Sequence, residues 1–102
     1  MKKVKIYLDY RCFPVWIYDD NDELINNDLP KELSGDKEID DAFVEIQNIY
    51  DGLFLDNSTE FKYIGFKSKS DKQKFLKIID DAINLIKIKL GDSYIIEKKI
   101  DI

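Results

Sequence analysis

The sequence predicts one α+β domain spanning residues 1–102, in which a mostly antiparallel sheet of about four strands carries two amphipathic helices on one face. Apolar residues alternate with polar ones near both ends of the chain, as in half-buried strands. They recur with helical spacing in two longer segments, and polar turns separate the elements. The predicted order is β-β-(β)-α-β-α-β, and a chain of this length has room for one hydrophobic core.

The first part of the chain is predicted to form strands. Residues 4–10 alternate between apolar and polar side chains, and residues 13–18 form a second aromatic and β-branched run. Residues 19–22 (DDND) indicate a turn, because Asx side chains hydrogen-bond their own backbone. Residues 23–27 then return as a short strand. Pro14 suits an edge strand or the start of a strand.

The first helix is predicted from apolar residues at i, i+3, i+4 and i+7 spacing over residues 39–53. Ser34 or Asp36 can cap its start, and Gly52 lies near its end. A further alternating strand is predicted at residues 61–66, after a turn at residues 56–58.

The second helix is predicted to begin at Ser70, which forms a capping-box pattern with Gln73. Gly91 is the residue expected just after its end, because glycine readily adopts the left-handed conformation of a helix C-cap. Residues 94–100 follow as the last strand. The apolar stripe of this helix comprises Leu76, Ile79, Ile83, Ile86 and Leu90.

The residue types argue against ordinary enzymatic catalysis. The chain has no histidine, which removes most triads, zinc sites and general bases that act near neutral pH. Its four glycines show no phosphate-loop spacing, so no cofactor or metal is predicted. Cys12, the single cysteine, fits a packed residue in a reducing cytosol. An enzyme that uses carboxylates alone is the remaining catalytic alternative.

Charge is unevenly distributed along the chain. Residues 1–60 carry fifteen acidic and six basic residues, whereas residues 61–102 carry six acidic and ten basic residues. The lysines of the second half fit a solvated face better than a nucleic-acid site, so no direct nucleic-acid binding is predicted. No apolar run is long enough to cross a membrane and no export signal is present, which predicts a cytoplasmic monomer or small homo-oligomer.

Several segments together resemble a known class of protein. They are residues 10–19 (YRCFPVWIYD), 27–30 (NDLP), 46–54 (IQNIYDGLF) and 63–66 (YIGF). This pattern is similar to small immunity proteins of bacterial polymorphic-toxin and contact-dependent growth-inhibition systems. The resemblance implies a protein that is not an enzyme, and that binds and neutralises the C-terminal domain of a cognate toxin, commonly a nuclease.

An acidic inhibitor suits a nuclease, because nucleases present basic surfaces to phosphate backbones. Interface hot spots also favour Trp and Tyr, so acidic residues mixed with aromatic ones mark the candidate partner-binding patch. An edge strand, either the one near Pro14 or the C-terminal one, is an alternative docking element. The alternative function is a phage-encoded or other acidic inhibitor or adaptor of a nucleic-acid-binding protein. The candidate partner-binding residues are Trp16, Tyr18, Asp19, Asp20, Asp22, Glu23, Asp28, Asp36, Asp40 and Asp41.

Overall fold

Two helices pack against a four-stranded sheet, which confirms the predicted α+β fold class. The structure is a computed structural model that describes all 102 residues. Neither helix combines the length and apolar character needed to cross a bilayer. In chain order the elements are β1 (Lys3–Tyr7), β2 (Val15–Tyr18), β3 (Leu24–Asn26), α1 (Lys37–Asp51), β4 (Phe54–Asp56), β5 (Phe61–Tyr63), α2 (Lys69–Leu90) and β6 (Ile95–Lys99).

The main sheet has the spatial order β3-β2-β1-β6. The pairings β1–β2 and β2–β3 are antiparallel, whereas β1 and β6 run parallel, with Lys3 opposite Ile95. Of the two alternatives for Pro14, the edge strand is wrong and the start of a strand is right, because β2 begins at the next residue and is an inner strand. The C-terminal strand β6 does lie at an edge. Pro14 is tolerated because it precedes β2, where its carbonyl oxygen accepts a hydrogen bond from the Tyr7 N–H (3.1 Å).

The hydrophobic core lies between one face of this sheet and the two helices. Alternation in β1 and β2 directs every second side chain inward, and the helical spacing of α1 and α2 supplies the opposing stripe. No polar or charged residue is buried. The fully buried core side chains include Val4, Ile6, Val15, Ile39, Phe43, Ile46, Ile79 and Ile86.

The predicted strand at residues 61–66 does not join the main sheet. Only Phe61–Tyr63 is extended, and it pairs with β4, a strand that was not predicted, to form a separate two-stranded hairpin. Gly65 has a φ of 75°, a left-handed conformation that turns the chain out of β5 towards α2. The hairpin leaves the helical layer directly after α1 and returns to it before α2.

The start of α2 also differs from the prediction. Ser68, not Ser70, is the N-cap: its hydroxyl accepts a hydrogen bond from the Asp71 N–H at 3.1 Å. Phe75 is buried in the core, whereas Leu76, which was assigned to the apolar stripe, is only half-buried. Gly91 follows the last residue of α2 as predicted and has a φ of 57°, but its ψ of −132° lies outside the left-handed helical region.

Asp36 joins the two helices. One carboxylate oxygen accepts the Ile39 N–H (3.2 Å) as the N-cap of α1, and the other accepts a hydrogen bond from Lys89 Nζ of α2 (2.9 Å). These two contacts, led by the one from Lys89, hold the pKa of the Asp36 carboxyl below its ordinary value. The carboxylate is therefore part of the packing of α1 against α2.

Phe43→Ala should lower the free energy of unfolding by about 3–5 kcal/mol, because Phe43 is fully buried and its removal leaves a cavity against Phe13. Val44→Ala, one position along the same helix but 37% exposed, should change it by less than about 1 kcal/mol. Urea unfolding of both variants provides the measurement. Equal losses would mean that the core is not where the structure places it.

Asp36→Asn keeps an N-cap acceptor but removes the charge that faces Lys89. Because the pKa of Asp36 is depressed in the folded state, the ionised carboxylate stabilises the fold at pH values above the unfolded-state pKa of about 3.9. This stabilisation is lost as the pH falls through the folded-state pKa. Wild type should therefore be more stable than the variant at pH 7, and this difference should shrink below about pH 4. Urea unfolding across this range tests the expectation, and a difference independent of pH would contradict it.

Candidate functional site

Four of the candidate acidic residues form the turn between β2 and β3. The Asp19 carboxylate accepts hydrogen bonds from the N–H groups of Asn21 and Glu23, both at 2.9 Å. Asp22 adopts a left-handed φ of 63°, which Asp tolerates better than most residues. The acidic composition of this turn therefore has a local structural cause, since Asp19 organises the backbone around itself.

Two other carboxylates of the turn are paired within the molecule. Asp22 contacts Lys5 Nζ at 3.1 Å and Lys3 Nζ at 3.6 Å, and the hydrogen bond from Lys5 leads the effects that lower its pKa. Asp20 pairs with the α-amino group of Met1, which likewise lowers the pKa of Asp20. The Glu23 side chain is exposed and makes no ion pair. Much of the negative charge of the turn is thus balanced locally.

Trp16 and Tyr18 lie on the sheet face that the helices leave uncovered. Both side chains are half-buried. Trp16 Nε1 donates a hydrogen bond to the Tyr7 carbonyl oxygen (3.0 Å), and Lys5 Nζ sits 4.1 Å from the centre of the Tyr18 ring. The two aromatic residues therefore belong to a mixed basic and aromatic face rather than to the core.

The other four candidate residues surround one cleft at the start of α1. Asp28 enters it from the loop after β3, and Asp36, Asp40 and Asp41 enter it from the first turns of the helix. The cleft has a volume of about 390 Å³ and is completed by Leu29, Ser34, Gly35 and Lys37. We call it the acidic cleft.

Charges in the acidic cleft are only partly neutralised. Asp41 pairs with Lys37 (2.9 Å), one turn earlier on the helix, and Asp36 pairs with Lys89 (2.9 Å). Asp28 and Asp40 are exposed and make no ion pair, although one carboxylate oxygen of Asp28 accepts a hydrogen bond from the Leu29 N–H (2.7 Å). No three histidine, cysteine, aspartate or glutamate side chains anywhere in the chain converge closely enough to hold a metal ion. The cleft therefore presents free carboxylates at a solvent-open surface.

An aromatic cluster that was not singled out from the sequence lies on the β4–β5 hairpin. The rings of Phe54 and Phe61 stack with centroids 5.5 Å apart, and Tyr10, Tyr50 and Tyr63 pack edge-on or tilted against Phe54. Phe61 and Tyr63 are nevertheless 58% and 51% exposed. We call these five residues the aromatic hairpin cluster.

Beside the hairpin, an apolar groove of about 420 Å³ opens between the end of α1, residues 64–67 and the first turns of α2. Gly65 links it to the hairpin, since the Tyr63 ring lies against the space where a Cβ would stand at Gly65. Lys67, Asp71 and Lys74 complete its wall. The apolar lining residues are Ile49, Leu53, Ile64, Phe66, Phe75 and Ile78.

A sequence signal for the hairpin exists. Residues 56–58 (DNS) indicate a turn, and Phe54 before it and Phe61 after it are the aromatic residues that enclose a short hairpin. The groove has no such signal, because it is formed by three segments that only the tertiary fold brings together.

The comparison with known families gives a match over most of the chain. Residues 2–97 match the family model described as Serratia CdiI immunity protein-like, which agrees with the resemblance seen in the sequence. None of the curated proteins matches this chain. Since the family match covers nearly the whole chain and all its helices and strands begin within it, the protein belongs to the Serratia CdiI immunity protein-like family.

Proposed function

We propose that this protein binds and neutralises a cognate bacterial toxin domain in the cytoplasm of the cell that it protects, and that this toxin is a nuclease. Membership of an immunity protein-like family over residues 2–97 is the observation that carries the proposal. The mode of action that we infer is binding rather than catalysis, because the chain has no histidine to serve as a general base near neutral pH.

Electrostatics support a nuclease as the target. The protein has a formal net charge of −5, and the acidic cleft presents Asp28 and Asp40 without a lysine partner. A nuclease needs a basic surface for the phosphate backbone, so free carboxylates on an inhibitor can occupy the same basic groups. Fixed opposite charge also raises the association rate of two proteins.

Among the candidate residues, those of the acidic cleft suit contact with a basic toxin surface better than those of the β2–β3 turn. In the turn, Asp19 holds the backbone, while Asp20 and Asp22 have cationic partners in the molecule, so a toxin would have to displace existing contacts. Tyr18 contacts Lys5, the partner of Asp22, and both Tyr18 and Trp16 would contribute only if the toxin also reached the open face of the sheet. We therefore place the toxin's basic surface on the acidic cleft.

The first test is neutralisation in cells. Co-expression of this protein with the toxin domain encoded by the adjacent upstream gene should restore growth to cells that the toxin alone arrests. In vitro, the purified protein should stop cleavage of RNA or DNA by that domain at a one-to-one ratio. Stable co-purification with no effect on growth or cleavage would contradict neutralisation.

Asp28→Asn combined with Asp40→Asn should slow association with the toxin several-fold and flatten its dependence on salt, because both free carboxylates of the acidic cleft lose their charge. Thermal stability should change little, since neither side chain makes an ion pair. Stopped-flow association at low and high ionic strength provides the measurement.

The matched control is Asp92→Asn with Asp101→Asn, which changes the net charge equally at two exposed carboxylates that make no ion pair and do not line the cleft. If both double variants slow association to the same extent, net charge and not the acidic cleft steers the toxin. Asp20→Asn with Glu23→Gln, measured in the same way, tests the contribution of the β2–β3 turn.

A further inference from the structure

We infer that the apolar groove beside the β4–β5 hairpin is a second part of the interface, and that it receives an apolar side chain of the toxin flanked by carboxylates. This inference rests on the proposed function and adds to it the feature that would hold the complex together. Ile64 lines the groove and is 57% exposed, and Tyr63 and Phe61 on the adjoining hairpin are 51% and 58% exposed, so apolar exposure is concentrated here rather than confined to one side chain.

Backbone hydrogen bonds and a ring contact hold the segment that forms the groove in place. Hydrogen bonds from the N–H groups of Ile64 and Gly65 to the Leu53 carbonyl oxygen (2.7 and 3.1 Å) fix the segment against the end of α1. Phe66 packs against the buried Phe75 with ring centroids 5.6 Å apart, and the two rings form the floor of the groove. A preformed apolar concavity binds with little loss of conformational entropy, as hot-spot pockets do.

Charge around the groove indicates the chemistry of its occupant. Lys67 and Lys74 stand in its wall with one acidic residue, Asp71, so the wall carries a net charge of +1, and neither lysine makes an ion pair. Two copies of this chain that met groove to groove across a twofold axis would bring together two walls of the same net charge, which disfavours a homodimer. A partner segment with an apolar side chain and neighbouring Asp or Glu residues satisfies both the apolar floor and the free ammonium groups.

The groove and the acidic cleft lie at opposite ends of α1 but on one side of it. Asp41 lines the cleft and Gly52 lines the groove, and Glu45 and Asn48 fill the intervening positions of the same exposed stripe. The helix of 15 residues spans about 22 Å at 1.5 Å per residue. A standard interface of about 800 Å² on each partner is about 30 Å across, so one toxin domain can cover both ends.

Ile64→Ser tests the inference with a matched control. The variant removes the exposed apolar side chain that lines the groove and keeps the backbone hydrogen bond to Leu53. Ile88→Ser makes the same change on α2 at a side chain that is 79% exposed and lines neither the groove nor the cleft. Binding to the purified, catalytically inactivated toxin domain of the upstream gene is measured by surface plasmon resonance.

Ile64→Ser should raise the Kd at least about tenfold through faster dissociation, whereas Ile88→Ser should leave it within about twofold of wild type. Lys67→Glu with Lys74→Glu should also weaken binding, most strongly at low salt. Circular dichroism melting should show both isoleucine variants folded as in wild type.

Tight binding of wild type with no effect of Ile64→Ser would overturn the groove assignment and leave the proposed function intact. Tighter binding by the double lysine variant would also overturn it, because the flank of the partner would then be basic. Failure of wild type to bind the toxin overturns the proposed function together with this inference.

Two further outcomes would assign the groove to another occupant and so overturn the inference. Loss of affinity for a single-stranded oligouridine RNA in Ile64→Ser, with toxin binding unchanged, would indicate a base-stacking surface. A wild-type dimer that becomes a monomer in Ile64→Ser, measured by light scattering, would indicate a contact between two copies of the chain.

Discussion

Burial of a single sheet face by both helices is the constraint on which the rest of this structure depends. Val4 and Ile6 of β1 and Val15 of β2 are fully buried against Phe43 of α1 and Ile79 of α2. Because strands alternate, this burial fixes Lys3, Lys5 and Trp16 on the opposite, open face. The same burial fixes the orientation of the helices. Their outer sides and ends are therefore the surfaces that a partner can contact.

This constraint explains how much of the fold could be predicted from the sequence. The alternation in β1 and the helical spacing in α1 predict both elements, because each pattern reports a face that must be buried. The parallel pairing of β1 with β6 has no local signal, since it joins residues more than ninety positions apart. Ser68 and Ser70 are both good N-cap residues, so the local sequence does not decide which of them begins α2.

Prediction of the candidate site from the sequence has a similar limit. Composition identifies the acidic residues, but it does not reveal which carboxylates the fold itself uses. Asp19 and Asp22 stand in a row of acids that suggests a free patch, yet one organises a turn and the other pairs with lysines of β1. Asp40 lies at the start of α1, apart from that row of acids, and it has no ion-pair partner. Pairing depends on which strands become neighbours, and the local sequence does not contain that information.

Along α1, polar and apolar surfaces are separated in a way that suits a fast and lasting complex. Long-range charge at the acidic cleft acts before contact and is weakened by salt, so its main effect falls on the rate of encounter. Apolar burial acts only after contact, so the groove around Ile64 would mainly slow dissociation. An inhibitor that protects a cell from a toxin needs both properties, because a slow encounter and an early release would each leave the toxin active. The two ends of one helix can therefore contribute separately to the rate and to the lifetime of one complex.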